Sequence, residues 1–509
     1  MTAAFSAAVF EAGPAPLPGP LDREHFLDAQ RRHRRATWRA AAIGIPAVMA
    51  AGIPLCVIVT PVLLAPVMVA AFALKALGLL PPDAWGWIDR AAHILPDTWN
   101  AVWNGTPIAW GVLAAVFVAP GAITMLGVWL GLRLLLGRAW IPSVLARLEA
   151  RPADRRRLAE RTLCNIAEEL AVAAAVPPPR VFMIDSPRVN AAVVGHEVEE
   201  AVIIVSTGLL DTMDRSETQA LVAHLIASAG NGDMRIAATF FAIFEAWGAI
   251  ALMTEIPFSR EARGSLRRMV RAARNAAAGR YDSREARAVA DDLIDGAGPI
   301  SRGFDAYMER IEYEWRPLRN LLVDLPILIT SCIFSITARL TVTLCTILLF
   351  APPLSALWRA RRKLADSGSV ELTRQPAALA SAVEKLHAAD VELTGGHFCY
   401  FLFHDWPRID PEKEQTEVAA HVLGMQLDPH KRLQDLKRLG SGRDVVIPLS
   451  GWEGWRKELK DLPILLTGLA VALPLLALMF ALSLAAMGGL LFLLWKGLEF
   501  ALGTVPGWF

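Results

Sequence analysis

The chain has 509 residues, of which 54% are hydrophobic and only 20% are charged, and its mean hydropathy is +0.38. This composition is too apolar for a soluble protein of that length, so it predicts several membrane spans with the lipid bilayer as a partner. The net charge of +1 supplies no overall field that would attract nucleic acid, and no nucleic-acid partner is expected. The five cysteines include no CxxC pair, which argues against a disulfide framework and against a cysteine zinc site.

In the N-terminal part, residues 1–38 are expected to form a cytoplasmic tail, and residues 39–137 are expected to hold two transmembrane segments. The tail lacks the apolar region of a cleavable signal peptide. The basic run RRHRR at 31–35 stands just before the first long apolar stretch, and basic residues favour the cytoplasmic side of a span. Arginines also follow the second apolar stretch, so the chain is predicted to return to the cytoplasm there.

Residues 138–235 are predicted to be the first half of a soluble domain. A helix is expected over about 154–175, where it ends before a run of three prolines. Two runs rich in β-branched residues follow, RVFMID at 180–185 and AVIIVS at 201–206, and both are typical of short strands. The region therefore has an α+β character, in contrast to the apolar segments before it.

The next predicted helix covers residues 214–233, with the sequence DRSETQALVAHLIASAGNGD. Its start is expected at Asp214 or Ser216, because a short side chain with an acceptor oxygen suits the N-cap position. Its end is expected at the Gly230-Asn231-Gly232 run, where glycine tolerates the backbone of a helix terminus.

This helix carries the residues that matter most for function. His224 and Ser228 are four residues apart and share one helix face. Two histidines at this spacing, with a glutamate directly after the first, would supply half of a zinc-peptidase site. Here Leu225 stands at the glutamate position and Ser228 at the position of the second histidine.

The rest of the chain alternates apolar and charged segments. The arginine-rich and then acidic insertion is expected to be a solvated helical face, with contact to lipid headgroups as the alternative. The side of the membrane on which it lies, and whether the last apolar segment crosses once or twice, stay open at this point. The predicted segments are 236–257 (membrane or interfacial), 258–319 (charged helical insertion), 320–354 (transmembrane), 355–460 (second half of the soluble domain) and 461–509 (C-terminal membrane segment or segments).

An ordered set of motifs resembles the HtpX-type integral membrane zinc metallopeptidases and, more distantly, the CAAX prenyl endoprotease. The resemblance implies a predominantly α-helical polytopic membrane protein with a cytoplasmic, gluzincin-type α+β domain that contains a small β-sheet. It also implies a multi-pass location in a bacterial-type inner membrane. The motifs are SPRVNAA (186–192), STGLLDTMDRSE (206–217), AHLIASAGNGD (223–233), LADSGSVELTRQPAALASAVEKL (364–386) and LDPHKRLQDLKRL (427–439).

In that family, both histidines of H-E-x-x-H bind zinc, the glutamate activates the bound water, and a glutamate of a second helix is the third ligand. His224 matches the first ligand, while Leu225 replaces the general base and Ser228 the second ligand. Alignment on Leu364-Ala365-Asp366 puts Arg362 at the position of the third ligand. The resemblance therefore assigns one retained ligand position and no complete zinc site.

These replacements predict a non-catalytic pseudopeptidase that binds or regulates membrane proteins or a partner protease, with no catalytic residue and no cofactor. Loss of a general base alone typically costs a factor of about 10²–10⁴ in rate. One alternative is an active zinc-dependent endopeptidase with substitute ligands, for which His397, Cys399 and His404 are candidates. The second alternative is a structural subunit of a membrane complex.

Two further sets of residues belong to this hypothesis. Asn190, Ala191 and Ala192 match the part of the family that lines the substrate groove, and an edge strand there would take an extended polypeptide by strand addition. Asp233 and Asp366 are the carboxylates expected to support the site from beside it. Arg362 is expected to replace the positive charge of zinc and to pair with Asp366 or Asp233.

Overall fold

The computed structural model describes five stretches of the chain together with some single positions between them. Within these stretches the chain is mostly helical with one small mixed sheet, and it divides into two compact units. The sheet unit comprises residues 1–46, 137–241 and 350–463, and the apolar unit comprises 47–136, 242–349 and 464–509. The described stretches are 24–79, 100–237, 260–280, 351–389 and 429–442.

Several predictions fall outside the described residues. Segments 236–257, 320–354 and 461–509 lie there almost entirely, as does most of 258–319 beyond residue 280. The candidate ligands His397, Cys399 and His404 lie there as well. The predicted crossings of these segments and the substitute-ligand hypothesis therefore stay predictions.

The first long helix, α1, covers Phe26–Ala76 and runs from the sheet unit into the apolar unit. It begins before the predicted membrane segment, so residues 26–38 of the predicted tail are helical. Helices α2 (Trp110–Phe117) and α3 (Ala119–Arg147) occupy the second predicted span. Among the described residues, Trp110–Gly131 is the one stretch of helix long and apolar enough to cross a membrane, judged by length and composition.

Within the apolar unit, α1 and α3 are in close contact at Gly121. A Cβ atom on this glycine would overlap the backbone of Cys56, so only glycine fits at the crossing. Thr60 Oγ1 accepts a hydrogen bond from the Gly121 amide at 3.1 Å and donates one to the Cys56 carbonyl at 2.9 Å. The threonine thus satisfies a backbone donor in the first turn of α3 that has no partner within its own helix.

The sheet of the sheet unit has the strand order β1-β2-β4-β3. The central pair, β2 and β4, is parallel, and each of the outer strands is antiparallel to its neighbour. All five residues of β4 are buried, which is the pattern of a strand covered on both faces. The strands are β1 (Arg151–Pro152), β2 (Arg180–Ile184), β3 (Ala191–Val194) and β4 (Val202–Ser206).

Helices cover this sheet and complete its core. Helix α4 (Leu158–Ala173) precedes β2, and the short α5 (Thr207–Thr212) follows β4. The predicted helix around the histidine is α6 (Arg215–Gly230), and its N-cap is Asp214 as predicted. The Asp214 side chain accepts from the Glu217 amide at 2.8 Å, while Glu217 accepts from the Asp214 amide at 2.8 Å. This reciprocal capping box fixes where α6 begins.

The second half of the soluble region packs directly on α6. It is preceded in the chain by α7 (Arg260–Ala277) of the apolar unit, and its described helices are α8 (Ala351–Thr373), α9 (Pro376–Ala388) and α10 (Pro429–Arg438). At Gly368 of α8, an added Cβ would lie 2.7 Å from the Cβ of Ala227 on α6. Ser369 Oγ donates to the Ala220 carbonyl at 2.6 Å. Small residues thus bring α6 and α8 into close contact.

Candidate functional site

The candidate site is centred on His224, which is 0% exposed in the middle of α6. Its Nδ1 lies 2.8 Å from Oδ1 of Asp366 on α8. An ionised carboxylate only accepts hydrogen bonds, so Nδ1 carries the proton and Nε2 presents its lone pair. Burial lowers the pKa of His224 to about 4, against the opposing effect of the Asp366 charge. The imidazole is therefore neutral near pH 7.

Arg362 fills the space in front of the other imidazole nitrogen. Its Nη1 lies 3.5 Å from His224 Nε2, at the outer limit of a hydrogen bond. Its guanidinium carbon also lies 5.1 Å from the centroid of the Trp358 ring, within the range of a cation–π contact. A cationic donor thus faces the nitrogen through which this histidine would otherwise bind a metal.

The charge of Asp366 is balanced by an arginine of another helix. Arg432 of α10 donates from Nε to Oδ2 at 2.8 Å and from Nη2 to Oδ1 at 2.6 Å, which is a bidentate pair. Burial alone would raise the pKa of Asp366, but the Arg432 charge and the hydrogen bonds from Arg432 and His224 outweigh it. Together they hold this pKa well below its ordinary range, so Asp366 is ionised.

A second buried carboxylate lies at the C-terminal end of α6. Ser228 Oγ donates to Oδ2 of Asp233 at 2.7 Å. Arg361 Nε donates to Oδ1 of the same carboxylate, and Arg361 Nη2 donates to the Asn231 carbonyl. Burial raises the pKa of Asp233, against the opposing charge of Arg361. Ser228, at the position of the second ligand, therefore serves as a donor to a carboxylate.

The predicted pairing of Arg362 with Asp366 or Asp233 is wrong. Asp366 pairs with Arg432 and Asp233 with Arg361, both by direct contact. Arg362 and Asp366 are four residues apart on α8, so they face the same side of the helix. The guanidinium that contacts Asp366 nevertheless comes from Arg432 of α10, and the one that contacts Asp233 comes from Arg361. Sequence reasoning missed Arg361 and Arg432, although both stand within or beside the motifs used for the resemblance.

The position of the general base holds no proton acceptor. Leu225 is fully buried and belongs to the hydrophobic core of the sheet unit. That core also contains six of the largest fully buried side chains. They are Leu163, Ile166, Met183, Ile203, Leu209 and Leu221.

The groove candidates lie at one edge of the sheet. Ala191 and Ala192 begin β3, which among the described strands pairs with β4 and is the outer strand. Asn190 precedes the strand, where Ser206 Oγ accepts from its amide at 3.0 Å and donates to its carbonyl at 2.9 Å. All three residues are buried, as is the remainder of β3. The edge strand is thus present but not exposed.

The residues of the site do not fit a zinc ion. Among the described residues of this cluster, three buried guanidinium groups stand against two buried carboxylates, while His224 is neutral. The imidazole nitrogen and both carboxylates already have cationic partners. Over the described stretches there is no group of three or more His, Cys, Asp and Glu side chains placed to hold a metal. A dication would meet repulsion here rather than ligands.

Comparison with known proteins places this site in a wider context. Residues 157–302 match peptidase family M48. A protease HtpX homolog of Limosilactobacillus fermentum is 28% identical over 228 residues, which is 45% of this chain and 57% of the relative. A protease HtpX homolog of Streptococcus equi is 38% identical over 82 residues, which is 16% of this chain and 28% of the relative. The chain thus spans little more than half the length of the first of these relatives and less of the second, and no solved structure matches it.

Proposed function

We propose, from its relationship to the HtpX-type peptidases of family M48, that this chain is a non-catalytic peptidase homologue that binds or regulates membrane proteins or a partner protease. The observation that carries the proposal is the position of Arg362, whose Nη1 lies 3.5 Å from His224 Nε2. The one imidazole left at a ligand position therefore meets a guanidinium where its relatives are expected to hold zinc.

Peptide hydrolysis at this site would lack both the zinc ligands and the general base. A catalytic zinc needs about three protein ligands and one open position. Here Ser228 donates to Asp233, and Leu225 cannot accept a proton from water. The arginines further oppose any cation that enters. The same side chains instead make a closed polar network that holds α6, α8 and α10 together.

We also propose a multi-pass location in a bacterial-type inner membrane, with the sheet unit in the cytoplasm. The apolar helix Trp110–Gly131 supports a membrane location. The basic residues before the first apolar stretch and after the second support a cytoplasmic sheet unit, because basic residues concentrate on that side. The proposed partners are the lipid bilayer and a polypeptide or membrane protein.

The sheet edge is the proposed place for a polypeptide. Strand addition uses the backbone groups of an outer strand and needs no metal. Because β3 is buried, binding would require the surface over it to open. The same burial favours a second candidate function, a structural subunit in which this edge stays closed.

The first test is the zinc content of the detergent-purified full chain, together with a His224→Ala variant and the Limosilactobacillus fermentum relative as a positive control. We expect neither form of this chain to contain zinc or to cleave a peptide that the relative cleaves. About one zinc per chain, lost in the variant, would instead establish the active endopeptidase with substitute ligands.

The second test separates polypeptide binding from a structural role. A photo-crosslinking residue replaces Glu199, which is exposed in the connection between β3 and β4, and a control replaces Glu169, which is exposed on α4. Binding at the sheet edge predicts crosslinks to a polypeptide from position 199 and not from 169. Equal crosslinking from both positions, or none from either, favours the structural subunit.

A further inference from the structure

Helix α7 carries a row of arginines that the candidate site does not use. Within Arg260–Ala277, five arginines follow one another at intervals of three or four residues, which places them on a single helix face. Arg260, Arg267, Arg271 and Arg274 are exposed, and Arg263 is partly exposed. This face is called the arginine stripe below.

The opposite face of α7 is buried against the protein. Its buried residues are Ala262, Ser265, Met269, Ala272 and Ala276, again at intervals of three or four. Because α7 already buries its small and apolar residues, it has no second apolar face to insert into lipid. The stripe can therefore act only from the surface, by charge.

Two acidic side chains among the described residues contact α7 at its flank, beside the stripe. Asp292 accepts two hydrogen bonds from Arg268, each 2.8 Å long, and Glu285 accepts one from Asn275 at 3.0 Å. Arg268 and Asn275 lie on the flank between the exposed and buried faces. These carboxylates hold α7 in place and leave the stripe directed outward.

We propose that the arginine stripe binds the anionic phospholipid headgroups of the membrane surface, with α7 lying along it. An amphipathic helix with four to eight basic residues is the sequence pattern of such binding. The apolar unit that contains α7 also contains the helix Trp110–Gly131, which is long and apolar enough to cross a bilayer. An anionic membrane surface is therefore the partner that best fits the stripe. Nucleic acid fits less well, because the whole chain has a net charge of only +1.

The geometry suits a flat surface of charges. With 18 residues, α7 is about 27 Å long, so its five arginines reach several headgroups at once. Val270, which is 57% exposed beside the stripe, adds a short apolar contact but no anchor. The binding is therefore electrostatic and reversible by salt. It also puts α7 on the side of the membrane with the anionic lipid surface.

Hydrogen–deuterium exchange of the full chain in lipid nanodiscs tests this inference. We expect the amides of residues 260–277 to exchange several-fold more slowly in discs that contain phosphatidylglycerol than in discs of phosphatidylcholine alone. Raised salt should remove the difference. Replacement of Arg260, Arg267, Arg271 and Arg274 by glutamine should also remove it.

A control variant replaces four exposed arginines of the sheet unit by glutamine, which changes the net charge equally and should keep the difference. These are Arg156, Arg161, Arg180 and Arg215. Equal exchange of α7 in both kinds of disc would overturn the proposal. Slower exchange on addition of an RNA or an acidic polypeptide to neutral discs, without any effect of anionic lipid, would overturn it as well. None of these results depends on whether the sheet unit is a pseudopeptidase.

Discussion

The buried cluster around His224 and the stripe on α7 use the same side chain under opposite conditions. Arg361, Arg362 and Arg432 are 9% exposed or less, and each contacts a carboxylate or an imidazole. The stripe of α7 faces outward, with its acidic contacts on the flank. The comparison shows what burial demands, because a guanidinium removed from water needs a partner whereas a hydrated one does not.

The difference also explains why one region is closed and the other is open to partners. In the cluster, removal of one charged side chain takes away the buried partner of another. The stability contribution of each arginine therefore depends on its carboxylate, and the reverse. In the stripe, the four exposed arginines are in contact with solvent, so their replacement should disturb the fold little. Four changes test this contrast, from the largest expected effect to the smallest.

The largest effect is expected for Asp366→Ala, which removes the carboxylate between Arg432 and His224. It should lower the free energy of unfolding by about 3–5 kcal/mol, since it removes the buried carboxylate to which Arg432 donates two hydrogen bonds. Thermal unfolding of the detergent-purified chain measures this. The control is Asp185→Ala, whose carboxylate is 62% exposed beside Arg151 and should cost less than about 1 kcal/mol. Equal losses would contradict the importance of the buried pair.

Acidification should also weaken the fold, because burial lowers the pKa of both His224 and His33 to about 4. Between about pH 6.5 and 4 the unfolded chain binds protons at these histidines and the folded chain does not, so stability falls as the pH falls. Each histidine contributes at most about 3 kcal/mol over this interval. Asp233, whose pKa is raised, opposes the trend at its acidic end.

The pH prediction is checked by unfolding curves at several pH values for the wild type and for His224→Gln. The variant should show a shallower loss of stability between pH 6.5 and 4, with the remaining slope due to His33. An unchanged slope in the variant would mean that His224 is already protonated in the folded state.

An intermediate effect is expected where α6 and α8 meet. In Gly368→Ala, the new Cβ would lie 2.7 Å from that of Ala227, and overpacking of this kind costs about 1–3 kcal/mol. The matched change is Gly264→Ala on α7, whose nearest neighbour is the flexible Arg268 side chain at 3.8 Å. That change should stabilise by up to about 1 kcal/mol, because alanine favours helix. Thermal unfolding of both variants should therefore shift in opposite directions.

The smallest effect on stability is expected for the fourfold arginine-to-glutamine variant of the stripe. Exposed surface substitutions usually stay within about 0.5 kcal/mol. Its unfolding temperature in detergent should match that of the wild type, even though its response to anionic lipid is lost. A large destabilisation in detergent would show that the stripe has partners within the protein.

Much of the local structure was predictable from short patterns. The sequence predicts the start of α6 at Asp214 or Ser216, and the capping box of Asp214 with Glu217 shows that it is Asp214. The β-branched runs at 180–185 and 201–206 correspond to β2 and β4. Capping and strand patterns work because they depend on neighbours along the chain. The relationship to the HtpX-type peptidases was likewise visible in the order of the motifs and is confirmed by the comparisons.

Only the tertiary structure decided how the charges pair. From the sequence by itself, the resemblance predicts that His224 stands alone at a ligand position and that Leu225 and Arg362 replace acidic residues. It could not tell which of several arginines meets Asp366, because the partner, Arg432, is 66 residues away on another helix. Ion pairs between helices that are distant in the sequence depend on how those helices pack. The spacing of residues along one helix does not predict this packing.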